Sequence, residues 1–171
     1  MHTTQQILAV IGEEIKIIRH LFGKMKPEQL TFSPGENMRT TEELLRYLSY
    51  VSASIAAWHR AQIKGEDASG LFKKYVEEAQ EMDINTFPDA MDEQYKQVAT
   101  ILNGYSDADL QTKMVKTFAG KEITLGEATV KTVITYLSAY RMQLFLYLKQ
   151  SGQPELGTYN CWMGIDPPPR E

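Results

Sequence analysis

The sequence predicts an all-α protein: a four-helix up-and-down bundle with a short β-hairpin inserted before the last helix. Three observations carry this reading. Four long segments repeat apolar residues at three- and four-residue steps, stretches bearing Pro and Gly separate them, and one short stretch around Ala119-Gly120 alternates as strands do. Four amphipathic segments with one wide apolar stripe each bury those stripes most economically against one another. With 171 residues, 43% hydrophobic and 23% charged, the chain can enclose a core. It reads as one domain over 1–171, with an extended tail from about 152 to 171.

The first helix is expected over 3–23. Thr3 or Thr4 can cap it, Ile7, Ile11, Ile15, Ile18 and Phe22 form its stripe, and Gly23 suits a stop. Pro27, Pro34 and Gly35 mark a connection. A second helix is expected over 40–64, opened by a capping box of Thr40 and Glu43 and buried along Leu44, Tyr47, Leu48, Val51 and Ile55. LFKKYVEEAQ reads as a short surface helix. The third long helix is expected over 86–104, with Pro88 tolerated near its start and Met91, Tyr95, Val98 and Leu102 as its stripe. After SDADL and the hairpin, the fourth runs over 124–151, weakened locally by Gly126 and β-branched residues. In the tail, Pro167, Pro168 and Pro169 forbid helix and favour an extended strap, while the apolar bulk of Trp162 argues for packing on the bundle.

The totals exclude several classes. A net charge of −4 with both signs interspersed offers no basic face for nucleic acid. No apolar run is long enough to span a bilayer. The opening MHTTQQILAVIGEE lacks the basic start and long apolar stretch of a signal peptide, so a cytoplasmic protein is expected. Cys161 is the one cysteine, which precludes an internal disulfide and a cysteine-based zinc cluster.

TTEELLRYLSYV in the second helix and YLSAYRMQLFLYLKQSG in the fourth, with the hairpin and the Trp-Met-Gly tail, resemble the DinB-like (YfiT-type) four-helix bundle superfamily over nearly the whole chain. The resemblance implies three metal-binding histidines, one in the second helix after a Glu-Leu-Leu-x-His pattern and two spaced by four in the fourth. It also implies a metal-dependent hydrolase or a transferase of low-molecular-weight thiols, and a homodimer. Laid on this chain, the three ligand positions fall on Tyr47, Tyr136 and Tyr140, while Arg141, Gln143 and Leu144 keep the surrounding pattern.

The change from histidine alters the chemistry. A neutral imidazole offers a lone pair near neutral pH, whereas a phenol ionises near pH 10 and ligates divalent ions poorly. Three ionised phenols inside a bundle would be costly. No metal and no cofactor is therefore expected. His2, His20 and His59 do not replace the missing ligands: they form no His-x-x-x-His pair, and His59 lies about 18 Å of helix beyond Tyr47. They read as surface or satisfied core histidines.

Tyr47, Tyr136 and Tyr140 then have two readings. They fill the volume of a lost site as a hydrogen-bonded packing cluster, or they line a small-molecule pocket extended by Tyr50 and Gln143, with Arg141 as anchor. Arg141 could equally pair with a carboxylate. Cys161 has no nearby helix N-terminus to activate it, and Glu77, Glu78, Glu81 and Asp83 read as a solvated face. The functional expectation is a bundle that binds a small molecule or otherwise lacks catalysis. The alternatives are the family's enzyme classes and a homodimeric interaction module, for which Ile17, Phe145 and Leu146 leave apolar surface.

Overall fold

The computed structural model describes residues 3–169, so His2 lies outside the described residues. Helix α1 spans Thr4–Lys24. Its capping box is built by Thr3, whose hydroxyl accepts from the Gln6 amide, and by Gln6, whose side chain accepts from the Thr3 amide. Ile7, Leu8, Ile11, Ile15, Ile18 and Leu21 are all buried. The helix passes through Gly23 and stops at Met25, because Lys26 precedes Pro27 and is held extended.

The helix expected over 40–64 is two helices, α2 (Thr41–Leu48) and α3 (Val51–Lys64). Tyr50, at φ −132°, interrupts them. The cause lies across the core on α5 (Phe87–Leu102), where buried Gln94 reaches the break. Its amide nitrogen donates to the Leu48 carbonyl at 2.9 Å, and its oxygen accepts from the Ser52 amide at 2.8 Å. One side chain thus satisfies the end of α2 and the start of α3, which would otherwise leave orphan groups in the core.

Between α3 and α5 in the chain lies α4 (Leu71–Glu81), whose C-terminal carbonyls are gathered by Arg46. Its guanidinium donates to Ala79, Gln80 and Met82 at 2.6, 3.0 and 2.8 Å while also holding Glu42. This fixes α4 beside α2. On the outer face of α4, Glu77 and Glu78 are exposed and pair with Lys73 and Lys74.

Helix α6 (Asp107–Thr112) leads into strands β1 (Met114–Lys116) and β2 (Glu122–Thr124), paired antiparallel with Val115 opposite Ile123. The turn passes through Gly120 at φ +78°, a left-handed conformation that glycine adopts freely. Gln62 of α3 clasps the strand, accepting from the Lys116 amide at 2.7 Å and donating to its carbonyl.

The last long helix is also segmented: α7 (Leu125–Ala128), a π-helical stretch over Thr129–Ile134, and α8 (Thr135–Gln150). The hydroxyls of Thr129, Thr132 and Thr135 donate back to the carbonyls of Leu125, Ala128 and Val130, competing with the regular ladder. A Cβ on Gly126 would sit 3.0 Å from the Leu110 carbonyl, so glycine permits the contact between α6 and α7. Helix α1 packs on α5 and α8, and α3 packs on α5 and the π-helical stretch, enclosing one core. The four long helices of the sequence reading are therefore spread over more segments, within a mostly helical fold carrying one hairpin.

The tail folds back as a short π-helical turn, Tyr159–Met163. Cys161 is buried, but Trp162 is 58% exposed, against the expectation that its bulk would pack on the bundle. Arg141 explains the difference. Its guanidinium is buried against the Glu14 carboxylate at 2.7 Å and donates to the Cys161 carbonyl, while Trp162 lies over it at 4.8 Å. Trp162 therefore covers a cation with one face and leaves the rest in water. Gly164, at φ +63°, lies so close to α1 that a Cβ would stand 3.1 Å from the Cα of Ile17. The tail thus covers the Ile17 side of α1.

Candidate functional site

Tyr47 closes the last turn of α2, Tyr50 occupies the break, and Tyr136 and Tyr140 lie one turn apart at the start of α8. The structure brings these four together. The Tyr47 ring meets Tyr140 at 4.8 Å and Tyr50 at 5.4 Å, and Tyr140 meets Tyr136 at 6.3 Å, all edge-on. Tyr47, Tyr50 and Tyr136 line a cleft of about 260 Å³, with Val51, Ser54 and Ile55 of α3, Phe72 and Val76 of α4 and Phe118 of the hairpin completing its wall. Phe118 looks unpaired by exposure, at 56%, but stacks flat on Trp58 at 4.5 Å. The Arg39 guanidinium lies 4.4 Å above the Tyr47 ring and 5.9 Å from that of Tyr140.

Burial disfavours ionisation of Tyr47 and Tyr50. Burial pushes Tyr47 well above its ordinary value and the adjacent Tyr140 hydroxyl adds to the rise, with Arg39 acting in the other direction. Burial likewise raises Tyr50, again countered in part by Arg39. At neutral pH the cleft therefore offers apolar ring faces and hydroxyls that donate and accept, not negative ligands. Such a donor set does not fit a histidine-type divalent metal site, which requires unprotonated lone pairs. Among the described residues no group of three or more His, Cys, Asp or Glu could hold a metal ion.

Other residues singled out by sequence lie apart from the cleft. Gln143 follows Tyr140 along the same face of α8 and donates to the Tyr147 hydroxyl at 2.5 Å. Arg141 is turned to Glu14 and the tail, the carboxylate-paired alternative of its two readings. Burial raises the Cys161 thiol, the wrong direction for a nucleophile. His59 is 1% exposed, neither a surface residue nor a satisfied one, since its Nδ1 has no partner among the described residues. Burial lowers its pKa to about 4, so it is neutral at pH 7. His20 stands 3.1 Å from the Asn160 amide.

Sequence reasoning missed Arg39, Gln94 and Phe118. Gln94 left a signal, a polar residue on the stripe between Met91 and Val98. Arg39 and Phe118 left none, because loop and hairpin-tip residues reach the cleft only through tertiary packing.

No protein-family model matches the chain, and no curated protein does. Among solved structures the fold is similar to the crystal structure of a DinB-like protein, YjoA, from Bacillus subtilis. The TM-score is 0.66 at 20% identity, over 90% of this chain and 96% of that one. The class this defines is a mostly helical protein of DinB-like fold. At that identity the likeness concerns the fold alone.

Proposed function

We propose that this is a DinB-like bundle without the family's metal, which binds a small, flat, largely apolar molecule in the cleft between α2, α4 and α8. Tyr47, Tyr136 and Tyr140 stand at the ligand positions implied by the resemblance, and their side chains converge. The observation that carries the reading is the cleft wall: the rings of Tyr47, Tyr50 and Tyr136 on one side and Phe72, Val76 and Phe118 on the other. A volume of about 260 Å³ lies just below the common range for ligand sites, which suits a ligand of few rings. Aromatic faces would sandwich it, and the hydroxyls of Tyr50 and Tyr136 would fix a polar substituent. The same donor set argues against the hydrolase and thiol-transferase alternatives, because no metal-activated water would be available to it. We further propose a homodimer formed through Leu146 and Phe145 of α8.

N-phenyl-1-naphthylamine, a neutral fluorescent probe, tests the ligand site. The chain has two tryptophans, so a Trp162→Phe background leaves Trp58, next to Phe118, as energy donor. Saturable binding with transfer from Trp58, weakened by Tyr50→Ala and by Phe118→Ser, is expected. Non-saturating binding, or binding indifferent to both variants, would contradict the reading.

A further inference from the structure

A second cleft, of about 440 Å³, opens between α3, α4 and α5, on the side of α4 away from Phe72 and Val76. Its walls include Ala57, Leu71 and Ile101, and its cationic groups are Arg60, Lys74 and Lys96. The two lysines are neutralised locally: Lys74 stands 3.8 Å from Glu78, and Lys96 stands 3.8 Å from Glu93. Arg60 is different. It makes no ion pair among the described residues, and its buried Nε has no hydrogen-bond acceptor. Buried guanidinium nitrogens are almost always satisfied, since leaving one unpaired forfeits its hydration without return. Burial raises Tyr75 and Tyr105, helped by Glu78 at the first and by Asp109 and Glu66 at the second, and the Arg60 guanidinium opposes the rise at both. Tyr75 donates to Gln97 at 3.2 Å, so two further polar groups converge on the same wall.

From this cleft we infer a second ligand site, independent of the tyrosine cleft, that takes a small monocarboxylate with an apolar body, anchored by Arg60. The sign and count follow from charge: with Lys74 and Lys96 paired, one uncompensated positive charge is left, and it matches one carboxylate. The apolar body lies against Ala57, Leu71 and Ile101. A guanidinium presents parallel N–H donors to a carboxylate, whereas an ammonium offers only a point charge, so lysine is not an adequate substitute.

Titration of the ¹⁵N-labelled full chain with benzoate, followed through the Arg60 Nε–Hε resonance, tests the inference. Benzyl alcohol supplies the same ring without charge, and inorganic phosphate supplies charge without the ring. Benzoate is expected to shift Arg60 and Tyr75 saturably at millimolar concentration, with benzyl alcohol and phosphate each giving no saturable shift. Arg60→Lys is expected to weaken benzoate binding by about tenfold or more, the size of one lost charge-assisted hydrogen bond. Absence of saturation with benzoate, shifts centred on Arg39 and Tyr47 instead, tighter binding of phosphate, or full affinity in Arg60→Lys would each overturn it. The wild-type shift map decides the matter even where a variant does not fold. Failure of the naphthylamine experiment would leave this result unaffected.

Discussion

The Tyr47 ring meets the Tyr140 ring edge-on at 4.8 Å, joining α2 to α8 where both helices start or stop. That contact shapes the cleft, because Tyr50 and Tyr136 flank it and Arg39 covers it from the loop side. The pair is a hydrophobic contact with two polar tips, and its worth depends on Tyr47 staying protonated.

The pH dependence follows with a definite sign. The folded-state pKa of Tyr47 is raised above its unfolded value, so its contribution to stability is whole below about pH 10 and is lost as pH rises beyond that. Tyrosinate absorbance followed alongside far-UV circular dichroism should show Tyr47 ionising together with unfolding. Tyr47→Phe should make the protein less sensitive to alkali. A Tyr47 that ionises freely in the folded state would contradict the burial argument.

Gln94 is predicted to matter more for stability than any exposed polar residue. Gln94→Leu leaves the Leu48 carbonyl and the Ser52 amide buried without partners, at about 1–3 kcal/mol each. The urea midpoint should fall with little change in slope. A loss under about 0.5 kcal/mol would show that the break between α2 and α3 closes without it.

How much of this was legible depends on where each cause resides. The stripes of α1 and α5, the Thr40 capping box and the hairpin are written in local spacing, and the structure contains them. The break at Tyr50 is not, because its cause is a glutamine on another helix. The exposure of Trp162 was misread for a similar reason: bulk argues for burial, but Arg141 offers a cation to cover. Gly126 reads as a helix weakness until Leu110 is seen against it. The pairing of residues 136 and 140 follows from helical periodicity alone. Arg39 and Phe118 at the cleft are products of packing, which no local pattern announces.

Arg141 should hold the tail. Arg141→Met leaves Glu14 largely buried and unpaired and is expected to cost about 3 kcal/mol. Limited proteolysis should then cut after Gly152 faster than elsewhere. A double variant with Glu14→Gln should recover part of the loss. Unchanged protection of residues 153–166 would show that the close approach of Gly164 to α1 suffices.

Self-association is testable on its own. Leu146 is 44% exposed on α8, and Phe145 is half-buried beside it. Sedimentation equilibrium should report a dimer that Leu146→Glu dissociates. A chain that sediments only as monomer at high micromolar concentration would end the dimer proposal.

The central claim is that three phenols occupy the place of a metal-ligand set and bind no metal. Elemental analysis of protein purified without chelator addresses it most directly. Zinc, nickel and iron should each be far below one equivalent per chain, and Tyr47→Phe, Tyr136→Phe or Tyr140→Phe should change nothing. A stoichiometric transition metal that is lost on any one of these substitutions would contradict the claim.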